Sequence, residues 1–231
     1  MRFSPPLVPA TLLRRYKRFL ADVRLADGTV ATAHVANSGK MLGLDAPGST
    51  VWLAPGTGKL PWSLKFVETP TSWAGVDTHA PNKLVAEALT ARLLAPFAAY
   101  PHVRAEVKYG EASRVDFLLT DDAGKRLWLE IKNVHLSRSD GLAEFPDCEA
   151  ARSARHLREL SAMVDAGDRA AALFVVQRSD CTRFRPAADL DPAFAQAFRE
   201  ARAAGVEMHA HACAMSPDAV VLADTVAIAN D

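Results

Sequence analysis

Two acidic residues and a lysine near the middle of the chain have the spacing of a metal-assisted hydrolytic site. Asp116 lies in a run of alternating residues, and Glu130 and Lys132 lie in a second run of the same kind. Such alternation predicts two β-strands, and the intervening Asp122-Ala123-Gly124 suits a three-residue hairpin loop. The resulting register places Asp116 opposite Glu130, with Cβ atoms about 4.5–5.5 Å apart, and Lys132 on the same face.

Two carboxylates at this spacing repel each other unless a positive charge lies between them. A hard divalent cation, Mg²⁺ or Mn²⁺, prefers oxygen ligands, which Asp116, Glu130 and the backbone carbonyl of Ile131 could supply. Lys132 could then orient or help to deprotonate a water molecule, or stabilise charge on a phosphate. A solvated hairpin face carrying the same charges is the alternative, and the motif alone leaves both interpretations open.

Bulk properties limit the possible functions. The chain has 231 residues, is 49% hydrophobic and carries no formal net charge. Its length suits one large domain or two modest ones, and its charge excludes a bulk attraction to nucleic acid, so that DNA binding would need local basic patches. The cysteines match no metal or disulfide spacing, and with the lack of a signal peptide this favours a cytoplasmic protein. No apolar run is long enough to span a membrane.

The elements around the hairpin predict an α+β protein of two domains. Residues 3–75 contain about five short strand-like runs, including 16–25 and 29–35, and this predicts a small barrel such as the OB-fold. A segment at 69–80, rich in Thr, Ser and His, marks the boundary between domains at 1–80 and 81–231. The second domain is predicted to contain strands and helices in α/β order, with a helix from Pro81 to about Leu94 and another that begins at Asp147 as its N-cap. The segment 137–145 is predicted to be a loop.

The Asp…Glu-x-Lys pattern is similar to the core of the PD-(D/E)XK nuclease superfamily, and the surrounding segments resemble one family more closely. These segments are FSPPL at 3–7, RYKRFLADV at 15–23, NSGKM at 37–41, PGSTVW at 47–52, VKYG at 107–110, SRVDFLL at 113–119, LEIKNV at 129–134, FPD at 145–147 and RHLREL at 155–160. Together they resemble the sugar fermentation stimulation protein A (SfsA) family. The resemblance implies DNA binding, an N-terminal OB-like barrel and a C-terminal PD-(D/E)XK nuclease-like α/β domain. It also makes Glu87, an acid on the apolar stripe of the first helix, a candidate metal ligand; a glutamate that reaches solvent is the alternative.

Basic and polar residues in both domains are candidates for DNA contact. The densest positive cluster surrounds an aromatic residue near the N-terminus, a combination that suits phosphates and bases, although charges guarding an edge strand would look the same. The candidates are Arg14, Arg15, Tyr16, Lys17, Arg18, Lys40, Arg152, Arg155, His156, Gln177 and Arg178. The helix segment departs from the family, which typically has Thr, Gly and Lys where this chain has Ala150, Ser153 and Arg155.

Three functional hypotheses follow. The first is a DNA-binding protein with a divalent-metal site and phosphodiesterase activity. The second is a non-catalytic DNA-binding regulator of sugar (maltose) metabolism genes, in which the acidic site persists without turnover. The third is an unrelated two-domain protein whose hairpin charges are structural. The expected partners are DNA and, in a homodimer, a second copy of the chain; no membrane partner is expected.

Overall fold

The first part of the chain forms the predicted OB-like barrel. The computed structural model describes residues 1–109 and 113–229; Gly110, which ends the VKYG motif, lies outside them. The strands are β1 (Val8–Tyr16), β2 (Leu20–Leu25), β3 (Val30–Val35), β4 (Thr50–Pro55), β5 (Trp62–Glu68) and β6 (Trp73–Gly75). Strand β1 pairs antiparallel with β2 and β4, and the parallel pairing of β3 with β5 closes a five-stranded barrel. Alternate residues such as Leu12, Val23 and Val51 fill its interior.

The predicted strand 16–25 is wrong at its start. Strand β1 ends at Tyr16, and β2 begins only at Leu20. Lys17 and Arg18 have φ angles of 48° and 63° and form the tight turn between the two strands. The turn was not predicted because it contains neither glycine nor proline. A lysine and an arginine instead adopt the left-handed conformation that glycine usually adopts in turns.

The second part of the chain is an α/β domain built on a six-stranded sheet. Its helices are α1 (Ala80–Thr90), α2 (Ala151–Asp165) and α3 (Pro192–Ala203). Its strands are β7 (His102–Tyr109), β8 (Ser113–Thr120), β9 (Arg126–Val134), β10 (Leu136–Ser139), β11 (Leu142–Phe145), β12 (Arg169–Val176), β13 (Arg183–Pro186), β14 (Glu207–Met215), β15 (Val220–Thr225) and β16 (Ala227–Ile228). The main sheet has the order β15-β14-β12-β9-β8-β7, in which β12 runs parallel to both neighbours. This explains why β12 is an unbroken apolar run, since a central parallel strand is buried on both faces.

A second, four-stranded sheet corrects the predicted loop at 137–145. Strands β10 and β11 form a hairpin there, and the sheet continues through β13 and β16. Gly141, with φ at 69°, occupies the turn. The strands were missed because they are only four residues long and because β11 pairs in parallel with β13, which lies about forty residues further along the chain.

The barrel packs against one face of the main sheet. Apolar side chains of α1 and of this face form a single cluster with barrel residues Leu7 and Phe66, and α2 and α3 cover the opposite face. Trp52 and Trp73 pack against the same cluster with ring centroids 4.6 Å apart, so both are structural residues of the interface between barrel and sheet. Among the described residues, no helix combines the length and apolar character needed to cross a membrane.

Candidate metal centre

The β8–β9 hairpin has the register that the sequence predicts. Phe117 pairs with Leu129, and the pairing continues to the loop, where the Asp121 amide donates to the carbonyl of Lys125. The regular pairing ends at Phe117. The next residue, Asp116, uses its carboxylate instead, since its Oδ2 accepts a hydrogen bond of 2.7 Å from the amide of Ile131. Asp116 is thereby held at the point where the two strands separate.

Glu130 and Lys132 form a buried ion pair beside Asp116. Lys132 Nζ lies 2.7 Å from Glu130 Oε1, and the two residues are only 7% and 3% exposed. The solvated hairpin face considered from sequence is therefore wrong. Glu130 Oε2 is also buried, and it has no hydrogen-bond partner among the described residues. A buried carboxylate oxygen without a partner is costly, which is the condition that a bound cation would relieve.

The prediction that His156 of helix α2 contacts DNA is wrong, because this side chain is buried and orients Glu130 instead. His156 is buried and its Nδ1 contacts Glu130 Oε1, while its Nε2 accepts a hydrogen bond of 3.2 Å from Arg152 Nε. Because Nε2 is the acceptor, the proton of a neutral imidazole lies on Nδ1 and points towards Glu130. Glu130 thus has Oε1 committed to Lys132 and His156, and only Oε2 is available to a ligand.

Asn82 is a site residue that the sequence interpretation missed. It lies in the first turn of α1, and its Nδ2 donates a hydrogen bond of 2.6 Å to Oδ1 of Asp116. Asn82 directly follows Pro81, which marks the start of a helix. A polar residue in that first turn could therefore have been considered as a candidate site residue. No spacing rule, however, connects it with a hairpin more than thirty residues away.

The predicted contribution of Glu87 is contradicted. Glu87 is 60% exposed and pairs with the amino group of Met1 at 2.7 Å. It lies five residues beyond Asn82, and a helix rotates by about 100° per residue, so the two side chains leave α1 in different directions. The predicted helix is also too long, because α1 ends at Thr90 and not near Leu94.

The two carboxyl groups have pKa values that move in opposite directions. Burial, and then the nearby charge of Glu130, raise the pKa of Asp116 to about 6, although hydrogen bonds from Ile131 and Asn82 favour its ionised form. Burial also acts to raise the pKa of Glu130, but the Lys132 ammonium and His156 outweigh it and keep that pKa below the usual value. Neighbouring acids with pKa values separated in this way are common at functional sites and also occur in structural ion-pair networks.

The residue types and the cavity fit a hard divalent cation. A cavity of about 430 Å³ opens over Asp116, Glu130, Ile131 and Lys132, with Arg152 and Asn82 also in its wall. Two carboxylates and a backbone carbonyl are oxygen donors of the type that Mg²⁺ and Mn²⁺ prefer. Among the described residues, no group of three or more His, Cys, Asp or Glu side chains is arranged to hold a metal. Such an ion would therefore need ligands from water or from a substrate.

The basic residues of the barrel are divided between structural and exposed positions. Arg15 donates to the carbonyls of Asn37, Gly39 and Lys40, as well as to that of Arg18, so it fastens the NSGKM loop and is not available for DNA. Arg14 pairs with Asp22 at 2.8 Å and lies over the ring of Tyr16, whose hydroxyl also donates to Asp22. The remaining cations, Lys17, Arg18 and Lys40, are at least partly exposed and form no ion pair among the described residues.

The candidates near the carboxyl end of β12 are corrected. Gln177 is buried, and its Nε2 donates to the Asp77 carbonyl and to Asn133. Arg178 is buried in an ion pair with Asp180. Both side chains are buried, so neither is presented to DNA. On α2, by contrast, Arg155 is exposed.

Asp147 is not the N-cap of helix α2 that the sequence predicts. Helix α2 begins at Ala151, and its N-cap, Ala150, makes no side-chain capping bond. Asp147 Oδ2 instead accepts from the amide of Met41 at 2.7 Å and lies 3.2 Å from His135 Nε2, which connects the barrel loop to the end of β9. Gly39 packs so closely on this carboxylate that an added Cβ would lie 2.7 Å from one of its oxygens. The glycine of the NSGKM motif is therefore required by a close contact between the two domains.

Comparisons with known proteins agree with this architecture. The family described as "SfsA N-terminal OB domain" matches residues 13–76, and the one described as "Sugar fermentation stimulation protein RE domain" matches residues 79–219. A sugar fermentation stimulation protein homolog from Rhodospirillum centenum is 55% identical over 95% of this chain and 96% of its own length. A homolog from Ruegeria sp. is 53% identical over 97% of this chain and 98% of its own. The solved structure of Pyrococcus furiosus SfsA in complex with Ca²⁺ is 28% identical and superposes with a TM-score of 0.90, covering 100% of this chain and 98% of that one.

Proposed function

Because this chain belongs to the sugar fermentation stimulation protein (SfsA) family, we propose that it binds DNA and is a divalent-metal-dependent phosphodiesterase. The observation that carries the proposal is the unpartnered, buried Oε2 of Glu130 beside Asp116 and Lys132. The structure of the Pyrococcus furiosus relative in complex with Ca²⁺ supports a divalent cation in this family. We also place the protein in the cytoplasm, where its three free cysteines would stay reduced.

Each residue of the site has a distinct role in the proposal. Asp116, Glu130 and the Ile131 carbonyl would hold Mg²⁺ or Mn²⁺, which would lower the pKa of a water molecule and polarise a phosphate. Lys132 Nζ donates to Glu130 and would donate a further hydrogen bond to the attacking water or to a phosphate oxygen on which negative charge develops. His156 keeps Glu130 in place, and Asn82 keeps Asp116 in place.

The exposed cations indicate which surface of the protein DNA would contact. Arg152 lies in the wall of the cavity, Arg155 is exposed on the same helix, and the barrel candidates Lys17, Arg18 and Lys40 are also exposed. Since the chain has no net charge, binding should depend on these few contacts. The affinity for duplex DNA should fall with salt, by about 0.9 log units per contacted phosphate for each log unit of salt.

A non-catalytic DNA-binding regulator of sugar (maltose) metabolism genes is the second candidate. The observation in its favour is that, within the described ranges 1–109 and 113–229, no third acidic, histidine or cysteine ligand joins the two carboxylates. In this reading the buried ion pair is structural and Lys132 balances the charge of Glu130.

The experiment that separates the two candidates is a cleavage assay on the purified protein. Duplex, single-stranded and branched DNA, and RNA, are incubated with Mg²⁺ or Mn²⁺ and with wild type, Asp116→Ala or Asp122→Ala. Asp122 lies in the exposed loop of the same hairpin, so it controls for loss of a carboxylate. We expect cleavage by wild type and Asp122→Ala and none by Asp116→Ala. If the wild type cleaves none of these substrates with either metal, the phosphodiesterase proposal fails and the non-catalytic regulator remains.

A further inference from the structure

A second cavity lies beside β14 in the main sheet, separate from the metal centre. It has a volume of about 500 Å³. Strand β15 pairs with β14 from His211 onward, and the earlier residues of β14 line the cavity. Its wall contains two histidines, His209 and His211. None of the residues assigned above to the metal centre or to DNA contact lies in it.

The two histidines lie on the same face of β14. His209 pairs with Leu173 of β12 and His211 pairs with Val175, and both partners belong to the apolar cluster on the barrel side of the sheet. Residues two apart on a strand point to the same side, with Cα atoms about 6.6 Å apart. Both histidines are half-buried, and the ring of His209 packs edge-on against Phe97 with centroids 5.2 Å apart. Two imidazoles are therefore side by side at the wall of one cavity.

Each histidine has one ring nitrogen held by an oxygen acceptor. Glu207 Oε2 lies 3.2 Å from Nε2 of His209, and Glu207 is itself fixed by two hydrogen bonds from Arg169, of 2.8 and 2.9 Å. The carbonyl oxygen of Ala223 lies 3.0 Å from Nδ1 of His211. A carboxylate and a carbonyl can only accept, so these two nitrogens carry the protons of the neutral imidazoles.

The opposite nitrogen of each ring is then an acceptor that is free to bind a ligand. Within the parts of the chain that the structure describes, neither Nδ1 of His209 nor Nε2 of His211 takes part in a hydrogen bond. A histidine that binds a metal typically donates its other ring N–H to a carboxylate or to a backbone carbonyl, and both arrangements are present here. Imidazole nitrogen suits Zn²⁺ and Ni²⁺, whereas Mg²⁺ and Mn²⁺ prefer oxygen, so this ligand chemistry differs from that of the metal centre.

We propose that His209 Nδ1 and His211 Nε2 together bind one transition-metal ion, Zn²⁺ or Ni²⁺, at this cavity. Among the described residues, no His, Cys, Asp or Glu side chain is arranged as a third ligand, so water fills the remaining positions. The ion is exchangeable, because two protein ligands hold it where a structural zinc site uses four. The inference depends neither on the proposed DNA binding nor on cleavage.

The test is a calorimetric titration of the whole 231-residue protein with Zn²⁺ and with Ni²⁺. All variants carry Asp116→Ala, which removes a ligand of the metal centre and so reduces competition from it. We expect His209→Gln and His211→Gln each to weaken binding at least as much as loss of an outer hydrogen-bond partner does, which is about 10- to 100-fold. Glutamine keeps the side chain polar and of similar size, so both variants should fold.

His102→Gln is the matched control. His102 is exposed on β7, and its Nε2 lies 3.1 Å from a carboxylate oxygen of Asp122, so it is a histidine with an acidic partner but without a second histidine beside it. Its loss should leave the affinity for Zn²⁺ and Ni²⁺ within about twofold of the parent, well below the loss expected for either histidine of the pair.

The pattern of loss separates one shared ion from two independent histidines. For a shared ion, either substitution lowers the affinity for the same single ion. If instead each histidine bound its own ion, each single variant would lose one of two sites and keep the affinity of the other, and the proposal would be overturned. It would equally be overturned if the parent bound neither metal, or if the variant with both substitutions bound them as the parent does.

Nuclear magnetic resonance of the ring nitrogens tests the assignment of atoms. On addition of Zn²⁺, the signals of His209 Nδ1 and His211 Nε2 should shift, and those of His102 should not. A shift at the opposite nitrogens, which Glu207 and Ala223 hold, would contradict the assignment. Wild-type protein and His209→Gln should show the same Mg²⁺-dependent behaviour in the cleavage assay, so failure of the phosphodiesterase proposal would leave this inference intact.

Discussion

Two charged groups of residues, one in each domain, differ from what their sequences indicate, and they differ in opposite directions. We call Asp116, Glu130, Lys132 and His156 the hairpin cluster, and Arg14 to Arg18 the barrel cluster. The hairpin cluster resembles a solvent-exposed charged face in sequence, yet its Glu130 and Lys132 are buried and one carboxylate oxygen has no partner. The barrel cluster looks like a nucleic-acid platform, yet Arg15 and Arg14 are occupied by contacts within the protein.

We infer from this comparison that a buried charged group without a partner is a better guide to a binding site than the density of charges along the sequence. Arg15 has its guanidinium shared among four backbone carbonyls, so it has little left to offer a ligand. Glu130 keeps a buried oxygen without a partner, which folding alone would not favour. The predictions below test this distinction, from the largest expected effect to the smallest.

Lys132→Met should abolish the proposed metal-dependent cleavage, with a rate loss of about a hundredfold or more, and leave DNA affinity within a few-fold. The reason is that the lysine would act mainly on charge that develops in the transition state. Cleavage rate and DNA affinity are measured on the same preparation, with Lys125→Met on the exposed hairpin loop as the matched control. Because the change also leaves Glu130 without its main counter-charge, circular dichroism must show a folded variant. Equal rates for the two variants would remove Lys132 from the chemistry.

Arg15→Ala should lower the free energy of unfolding by about 2–3 kcal/mol, since it leaves backbone carbonyls of the NSGKM loop without their charged donor. Arg18→Ala, three residues further along in the exposed turn, should leave stability almost unchanged and weaken DNA binding instead. Urea denaturation and a DNA titration of both variants give the comparison. A stable Arg15→Ala protein with weakened DNA binding would reverse the assignment of these two arginines.

The affinity for Mg²⁺ or Mn²⁺ should fall about tenfold for each pH unit below about 6, because protons compete with the metal for Asp116, whose pKa is raised to about 6. Without metal the same raised pKa stabilises the folded protein below a pH of about 4, and this contribution is lost as the pH rises through about 6. Titration calorimetry at several pH values gives the slope. Asn82→Ala removes a hydrogen bond to the ionised carboxylate and should move the transition to higher pH. An affinity independent of pH between 5 and 7 would exclude Asp116 as a ligand.

Glu87→Gln should leave metal affinity and cleavage within about twofold of wild type, because its carboxylate pairs with the terminal amino group and lies outside the cavity. The expected stability loss is below about 1 kcal/mol, as for other exposed ion pairs. Glu130→Gln, measured beside it, should lose metal binding. A matching loss in Glu87→Gln would restore the first helix as a source of a metal ligand.

Much of the hairpin cluster could be predicted because its geometry is local. A three-residue loop with Gly124 in the left-handed conformation sets the register, and alternation then places Asp116, Glu130 and Lys132 on one face. The barrel could likewise be predicted from short alternating runs, with the resemblance to the family pointing the same way. The turn at Lys17 and Arg18 could not, because neither residue type signals a left-handed conformation.

The sequence by itself determined the hairpin that carries the two acids and the lysine, and the register that brings them together, because both depend on neighbours a few residues apart. Only the tertiary structure decided that Asn82, and not Glu87, reaches Asp116, and that His156 orients Glu130. It also decided that Asp147 holds the barrel loop, that Arg15 and Arg178 bind partners within the protein, and that Gln177 is buried. Each of these contacts joins segments that are distant in the chain, and the packing of helices and barrel on the sheet sets which side chains meet there.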